Sequence, residues 1–250
     1  MKLKRIIQYI FQQLLGTDRY LFLTALFQWF FIRFIRPDRE LNYFIHQLKH
    51  TGIIVDAGAN LGITSLMIAR RRPNCTILAF EPVPANLRCL KKMVRLFSPG
   101  NIKIYEAALA NCSGQLLMSQ PEEQGVRMHG LSRVVETPDL AQEAFDVPAF
   151  ALDDLPELQN TGSFIGLKID VENFEWYVLQ GGVEVIQKNT PLIYCEIWNT
   201  VRRNLTLELM QQLGYCPYIF NGKTLESFDK QEALNFFLLP VPTESMFQSR

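Results

Sequence analysis

The stretch GIIVDAGANLG, residues 52–62, decides the fold that we expect for this chain of 250 residues. It begins with a short β-branched run without polar alternation, which is typical of a strand buried on both faces of a parallel sheet. The run stops at a turn containing Gly58 and Gly62, and apolar residues at helical spacing follow over residues 60–72. Strand, glycine turn and helix in this order predict the first unit of a nucleotide-binding α/β domain.

The segments further along the chain repeat this pattern. A second strand is predicted at residues 76–81 and a second helix at residues 86–97. Five more apolar runs predict strands at residues 101–106, 166–170, 192–196, 215–220 and 233–239, with a helix at residues 202–213 before the last two. We therefore expect a doubly wound, mostly parallel seven-stranded sheet whose last two strands form an antiparallel closing pair.

The chain divides by composition into two parts. We expect residues 1–50 to form an N-terminal helical segment and residues 51–250 to form the α/β domain. Within that domain, residues 107–118 predict a β-hairpin, and residues 120–149 are a polar excursion rich in Glu, Gln and Pro. A single apolar core of ordinary size fits this organisation.

The chemistry of the first turn predicts the ligand. Glycines allow a ligand to approach the backbone closely, and Glu81 at the end of the second strand is placed to bind two ribose hydroxyls. Dinucleotide enzymes show G-x-G-x-x-G after the strand, whereas here Asp56 precedes a D-x-G-x-N-x-G turn. Asp56 would repel a pyrophosphate but suits the ammonium or sulfonium of S-adenosylmethionine. Two alternatives stay open, an NAD-dependent oxidoreductase or epimerase and a non-catalytic protein that binds adenosylmethionine.

Charge and cysteine content limit the class of partner. Residues 1–50 hold eight Lys and Arg against three Asp and Glu, while the rest of the chain holds seventeen against twenty-two. A mildly acidic catalytic region does not fit a nucleic-acid substrate, which needs clustered cations. Five scattered cysteines without a C-x-x-C pair indicate free thiols in a reducing compartment, so we expect a cytoplasmic protein.

The N-terminal segment allows two interpretations. Residues 3–15 have the spacing of an amphipathic helix, and residues 20–35 are rich in aromatic side chains. Only thirteen uncharged residues separate Arg19 from Arg33, too few for a membrane-spanning helix. These helices either pack on the catalytic domain or on a second subunit of a homodimer, or they attach residues 1–40 peripherally to a membrane.

Beyond these patterns, the sequence resembles the FkbM-type methyltransferases. This class I group acts mainly on hydroxyls of sugars and of other natural-product or cell-surface acceptors. The matching segments occur in the family's order between residue 52 and about residue 198, and the Lys168 segment is the most specific of them. They are Val55–Gly62, Phe80-Glu81-Pro82 with Pro84 and Leu87, Ala108-Leu109, Ala151-Leu152-Asp153, and Lys168–Glu175 with Leu179 and Gly181.

The resemblance implies O-methylation of a sugar, glycolipid or natural-product hydroxyl by direct in-line transfer from S-adenosylmethionine. The acceptor is then a small molecule or glycan. Asp170, at the end of the fourth strand, would face the methyl end of the cofactor and is the first choice as base, followed by Glu172, Glu196 and Glu175. Acids in the first turn of a helix are also favoured by its dipole, so Glu172 and Glu175 have a purely structural interpretation as well. The residues implied to hold the cofactor are Asp56, Gly58, Asn60, Gly62, Glu81 and Ala108.

Two departures from the family pattern concern the site. Asn173 stands where the family usually has glycine, and asparagine tolerates a left-handed backbone. Residues 197–199 lack the histidine that often follows the late-strand glutamate. This interpretation requires no metal, although strand-end carboxylates could bind Mg²⁺ as oxygen ligands. His129 in the polar excursion could serve as a base, but an exposed loop histidine is the simpler interpretation.

Overall fold

The computed structural model describes residues 12–119, 122–123, 126–127, 133–134, 144–160 and 162–241. His129 lies outside these residues, and so does most of the predicted helix at residues 3–15. The helices are α1 (Thr17–Phe30), α2 (Arg39–Gln47), α3 (Ile63–Arg71), α4 (Pro84–Phe97), α5 (Glu175–Gln180), α6 (Val183–Asn189) and α7 (Val201–Gln212). A π-helical segment, Phe31–Ile35, continues α1.

Three sheets contain the described strands. The central sheet consists of β1 (Gly52–Ala57), β2 (Cys75–Phe80), β3 (Ile102–Tyr105), β10 (Phe164–Ile169), β11 (Leu192–Glu196), β12 (Tyr215–Phe220), β13 (Leu225–Ser227) and β14 (Asn235–Pro240). A second sheet consists of β4 (Ala108–Leu109), β5 (Gly114–Ser119), β8 (Arg133–Val134) and β9 (Ala144–Phe150). The third pairs β6 (Glu122–Glu123) with β7 (Val126–Arg127).

The central sheet has the order β13-β12-β14-β11-β10-β1-β2-β3. Strands β3, β2, β1, β10 and β11 are parallel, and β14 and β12 close the sheet in antiparallel fashion. The doubly wound, mostly parallel fold is therefore confirmed. The strand number was wrong: β12 turns back into the short antiparallel strand β13, which makes eight strands instead of seven.

The predicted hairpin at residues 107–118 was also wrong. Strand β9 lies between β4 and β5, parallel to the first and antiparallel to the second. The local apolar pattern identified both strands, but the residues that separate them in the sheet come about 40 positions later in the chain. Pairing at that distance in sequence leaves no local signal.

Helices cover both faces of the central sheet. Alternate residues of β1, β2 and β10 enter one of two buried clusters. One cluster joins the sheet to α5, α6 and α7, and the other joins it to α1, α2, α3 and α4. The inner side of α1 contributes Leu21, Ala25 and Trp29 to the second cluster, so the N-terminal segment shares the core of the domain.

Basic and proline residues mark the ends of these helices. Arg70 and Arg71 lie in the last turn of α3, where cations interact favourably with the helix dipole. Pro84 is the first residue of α4, a position at which proline leaves no hydrogen bond unmade. Within the described residues, no helix is both long and apolar enough to cross a membrane.

Candidate functional site

The turn after β1 brings the backbone close to β10. Gly58 has a φ of 77°, and a Cβ atom at this position would lie 2.0 Å from the carbonyl oxygen of Asp170. Its N–H donates to the carbonyl of Phe80 at 3.1 Å. Only glycine fits this combination of left-handed backbone and close approach, and the exposed surface of Gly58 forms part of a pocket.

The other two predicted turn residues have different surroundings. Asn60 also has a positive φ, 50°, and lines the same pocket. Gly62, with a φ of 88°, precedes α3, and a Cβ there would lie 2.4 Å from Cδ1 of Leu90. Gly62 is not among the pocket residues. Its role in the structure is to let α3 and α4 pack closely.

Glu81 lies at the end of β2 with its carboxylate in the pocket wall. The carboxylate accepts hydrogen bonds from the backbone N–H groups of Asn60, at 2.7 Å, and Val83, at 2.9 Å. The side-chain amide of Asn86 donates to it at 3.3 Å. Burial raises the pKa of Glu81 to about 7 in spite of these donors. Further donors, such as ribose hydroxyls, would stabilise the carboxylate.

Asp56 lies behind the pocket wall and does not line it. The residue is fully buried, and the hydroxyl of Ser65 donates to its carboxylate at 2.5 Å. On the neighbouring strand β10, its register partner is Lys168, whose Nζ lies 3.3 Å from the carboxylate. The structure therefore connects Asp56 to the turn through Lys168 and not through direct exposure to a ligand.

Two acidic residues shortly after β10, Asp170 and Glu172, differ in environment. Asp170 lies 3.6 Å from Nζ of Lys168, and its side chain is 41% exposed. Glu172 is half-buried, with a φ of 56°, and lines the pocket together with Asp170. Burial, followed by the charges of Asp170, Glu196 and Glu175, raises the pKa of Glu172 to about 7. A carboxylate with such a pKa can accept a proton near neutral pH.

The loop that presents Glu172 is fixed from two sides. Glu175 is buried, and its carboxylate accepts hydrogen bonds from the N–H groups of Asn173, at 3.0 Å, and Val171, at 3.4 Å. Thr200 donates to the side chain of Asn173 at 2.9 Å, and Arg202 donates to its carbonyl at 2.9 Å. Asn173 has a φ of 70°, so the left-handed turn expected here is confirmed.

Glu196, at the end of β11, does not line the pocket. Its carboxylate accepts a hydrogen bond from the indole N–H of Trp198 at 3.0 Å. Burial and the charge of Asp170 raise the pKa of Glu196. Glu196 acts on the site through its charge, which raises the pKa of Glu172.

The pocket has an empty volume of about 640 Å³, which includes space that is open to solvent. Parts of the central sheet, α4 and the second sheet form its walls. Ala108, one of the expected cofactor residues, lies in it. The described residues that line it are Gly58, Asn60, Phe80, Glu81, Pro82, Val83, Asn86, Ala108, Leu109, Met118, Val134, Asp170, Val171, Glu172 and Phe174.

Two acidic residues outside the pocket, Asp153 and Asp154, serve the fold. Asp153 accepts hydrogen bonds from the N–H groups of Glu184, at 3.2 Å, and Val185, at 2.9 Å, at the start of α6. Asp154 accepts from Ser113 at 2.5 Å. Within the described residues, no group of three or more His, Cys, Asp and Glu side chains could hold a metal ion.

Comparison with known proteins identifies the family of this chain. A sequence model of the methyltransferase FkbM domain matches residues 56–220. The chain belongs to the FkbM methyltransferase family. The resemblance is thereby confirmed, and membership in a methyltransferase family counts against an NAD-dependent oxidoreductase.

Two relatives of this FkbM-family member are named as methyltransferases. Methyltransferase sdnD of Sordaria araneosa is 30% identical over 204 residues, which cover 71% of this chain and 73% of that protein. Methyltransferase 1 of Beauveria bassiana (strain ARSEF 2860) is 28% identical over 153 residues, which cover 56% of this chain and 61% of that protein. The chain thus spans less than two thirds of the second relative.

Among solved structures, the methyltransferase FkbM from Methylobacillus flagellatus KT aligns with a TM-score of 0.49 at 14% identity. The alignment covers 94% of this chain and 59% of that one. A SAM-dependent O-methyltransferase from Thermotoga maritima aligns with the same TM-score at 13% identity, over 84% of this chain and 67% of that one.

Sequence reasoning had assigned no role to several residues of this family member's site. Lys168 is buried, and its Nζ donates to the carbonyl of Gly58 at 3.0 Å. Burial lowers the pKa of Lys168, but the charges of Asp56 and Asp170 outweigh it and raise the pKa. A lysine within an otherwise apolar, doubly covered strand was the available signal, since such a cation needs buried anionic partners. Met118 and Val134 gave no such signal because they reach the pocket from the second sheet.

Proposed function

We propose that this chain is an S-adenosylmethionine-dependent O-methyltransferase acting on a hydroxyl of a sugar, glycolipid or natural product. One observation carries the proposal: a single pocket contains both Glu81 and Glu172, which lie at the ends of β2 and β10. The first suits ribose hydroxyls and the second suits the proton of an acceptor. The two carboxylates belong to different steps of one reaction, binding and proton removal.

The residues present fit adenosylmethionine. Gly58 lines the pocket without a side chain, so a flat or extended ligand can contact its backbone there. Glu81 offers carboxylate lone pairs to the ribose. The acidic rim formed by Asp170 and Glu172 suits a ligand with a positive charge. When bound, the cofactor supplies a methyl group already activated by its sulfonium.

The chain's own contribution is orientation and proton removal. Holding the acceptor oxygen in line can account for most of the acceleration, because positioning removes an entropic cost of about 7–11 kcal/mol in favourable cases. A base adds a further factor of roughly 10² to 10⁴. Two features support Glu172 as that base over Asp170. Its pKa of about 7 suits proton transfer at neutral pH, and Asp170 is already paired with Lys168.

The acceptor would enter beside the second sheet. Leu109, Met118 and Val134 give that side of the pocket an apolar character. Strands β5, β8 and β9 lie within or next to the polar excursion at residues 120–149, which differs in composition from the rest of the domain. We infer that this region selects the acceptor, and that the donor side of the pocket is formed by the central sheet.

Calorimetric titration tests the cofactor assignment. We expect the wild-type protein to bind S-adenosylmethionine and not NAD, and Glu81→Gln to weaken binding at least tenfold because the amide offers one acceptor oxygen instead of two. Glu208→Gln, an exposed substitution on α7, is the matched control and should bind as the wild type does. Binding of NAD alone would overturn the proposal.

The transfer reaction is tested with methyl-labelled cofactor and a panel of sugars, glycolipids and polyhydroxylated natural products. A methyl ether on the acceptor survives mild alkali, whereas a methyl ester is hydrolysed. We expect alkali-stable label on an acceptor from the panel and a large loss of that label in Glu172→Gln. Label found only on nitrogen or carbon, or label in an ester, would contradict O-methylation of a hydroxyl. Cofactor binding without transfer to any panel member would support the non-catalytic alternative.

A further inference from the structure

The outward side of α1 exposes a continuous line of large apolar side chains. Leu23, Phe27 and Phe30 follow one another at spacings of four and three residues and therefore share one side of the helix. Phe34 continues the line in the π-helical segment, with its ring centroid 5.0 Å from that of Phe30. These four side chains, the outer stripe, are between 52% and 66% exposed. An apolar line of this length marks a contact surface.

Three arginines lie beside the outer stripe. Arg33, Arg70 and Arg71 line a small pocket around Trp29, and we refer to them as the arginine cluster. The guanidinium of Arg33 lies 5.5 Å from the ring of Phe34, which joins the cluster to the stripe. Burial and the charge of Arg33 lower the pKa of Arg71. Among the residues that the structure describes, no carboxylate forms an ion pair with any of the three.

The carboxylates nearest in sequence are already engaged elsewhere. Asp18 forms an ion pair with Arg88 at 2.8 Å. Asp38 accepts the N–H of Leu41 at the start of α2. Glu40 accepts hydrogen bonds from Tyr194 and Asn235. The charge next to the outer stripe is therefore positive, and it favours an anionic partner.

We propose that the outer stripe and the arginine cluster dock this protein onto a bilayer that contains anionic phospholipids. The phenylalanines would enter the headgroup region while the arginines contact lipid phosphates, because buried apolar area and attraction to anionic lipids both strengthen attachment at a membrane interface. The two contacts act together, because neither a short apolar stripe nor a few cations alone gives stable attachment. This inference goes beyond the proposed methyl transfer and does not depend on it.

A second copy of the chain fits this surface poorly. A two-fold contact would place the outer stripe against itself. The exposed charged residues that flank the stripe are the cations Arg19, Arg33, Arg36 and Arg39 and the anion Asp38, so the copies would bring mostly like charges together. A bilayer with anionic headgroups supplies the opposite charge, and its fluid surface requires no matching groove for a convex helix.

The arginine cluster of the docking surface and the pocket lie toward opposite ends of helix α4. Asp18 contacts Arg88 near the start of α4, and Trp29 contacts Phe97 at its end, so α1 and α4 run side by side in the same direction. The start of α4 contributes Asn86 to the pocket. The arginine cluster lies toward the other end, and substitutions there leave the pocket residues untouched.

Vesicle flotation with the full chain tests the proposal without any methyl donor or acceptor. We expect wild-type protein to float with vesicles of phosphatidylcholine containing 30% phosphatidylserine, taken as roughly typical of an anionic surface, and to float much less with pure phosphatidylcholine. Phe30→Ser with Phe34→Ser should reduce the partition coefficient at least tenfold. Arg70→Gln with Arg71→Gln should reduce it roughly 30-fold, at about 1 kcal/mol for each cation.

Matched controls separate docking from general effects. Val201→Ser removes a side chain that is 81% exposed on α7, and Lys223→Gln with Lys230→Gln removes two exposed cations far along the chain. Both should float as the wild type does, and thermal melts should show that all variants are folded. Wild-type protein that fails to float at low salt, or stripe and cluster variants that float unchanged, would overturn the proposal. So would sedimentation of lipid-free wild type as a dimer that Phe30→Ser with Phe34→Ser converts to a monomer.

Discussion

Gly58 shows at the scale of one residue how the pocket depends on a missing side chain. We expect Gly58→Ala to abolish cofactor binding and to destabilise the fold, because the new Cβ would meet the carbonyl oxygen of Asp170 at 2.0 Å. Gly100 has the same φ, 77°, with nothing within 4 Å of its Cβ position. Gly100→Ala should therefore lower the unfolding free energy only by the strain of a left-handed backbone at alanine, about 1–2 kcal/mol.

Urea denaturation of the two variants measures the difference. The close approach should add about 1–3 kcal/mol to the loss in Gly58→Ala, which is the usual cost of overpacking. Equal losses of unfolding free energy in the two variants would show that the carbonyl of Asp170 can move away. Adenosylmethionine titration should show normal binding by Gly100→Ala.

Glu172 has a titration that can be measured without knowing the acceptor. We expect ¹³C carboxyl resonances of labelled glutamate to include groups that titrate at about 7, among them Glu81, Glu172 and Glu175. Glu172→Gln should remove one of these resonances. Since a base must be deprotonated, methyl transfer should rise with pH up to about 7 and then level off.

The neighbours of Glu172 provide the control for that titration. Glu196 is one of the charges that raise the pKa of Glu172. Glu196→Gln removes this charge, so the Glu172 resonance should move to a lower pKa while remaining present. A Glu172 carboxyl that titrates near 4.5 in the wild-type protein would remove the physical argument for its role as base.

At the scale of elements, Asp153 fixes the start of α6 from another part of the chain. Its two carboxylate oxygens accept the N–H groups of Glu184 and Val185, which have no partner within the helix. We expect Asp153→Ala to lower the unfolding free energy by about 1–2 kcal/mol. Asp153→Asn should lower the unfolding free energy by about half as much, because the amide keeps one acceptor oxygen.

Asp154 is the control for this prediction because it lies next in the chain and is exposed. Its carboxylate accepts only the hydroxyl of Ser113 among the contacts with described residues. Asp154→Asn should change the unfolding free energy by less than about 0.5 kcal/mol, as is usual for surface substitutions. If Asp153→Ala and Asp154→Asn behave alike, the helix start does not need its cap.

At the scale of the whole molecule, burial of Glu81 and Glu175 links stability to pH. Both are 3% exposed, and burial raises the pKa of each from 4.5 to about 7. Between these values the folded protein binds more protons than the unfolded chain, so stability falls as pH rises. The decrease should approach about 1 kcal/mol per pH unit for each group in this window.

Thermal and urea unfolding at pH 5, 6, 7 and 8 measure this dependence. The wild type should be most stable at the acid end of the range and lose little more above pH 7. Glu175→Gln keeps an acceptor for the N–H groups of Val171 and Asn173 but does not titrate, so its curve should be flatter. A wild-type stability that increases from pH 5 to pH 7 would contradict the sign of this linkage.

Much of the architecture was available from local patterns. The unalternated run of β1, the glycine turn and the strand ending in Glu81 predicted the parallel half of the sheet, because strands covered on both faces must be apolar at every position. The left-handed turn at Asn173 was predicted from the glycine that the family usually has there, together with the tolerance of asparagine for this backbone conformation. The eighth strand and the position of β9 between β4 and β5 were missed, since they depend on pairing between distant segments.

The sequence by itself determined the class of fold, the family and the residues that reach the carboxyl ends of the strands, because period, turn chemistry and strand-end acids are local properties. The tertiary structure decided what those residues do. It buried Asp56 against Lys168, turned Gly62 toward α4, and gathered Asp170, Glu172 and Glu196 closely enough for their charges to interact. Burial and the distance between charges set the pKa values, and both exist only after distant parts of the chain have packed together.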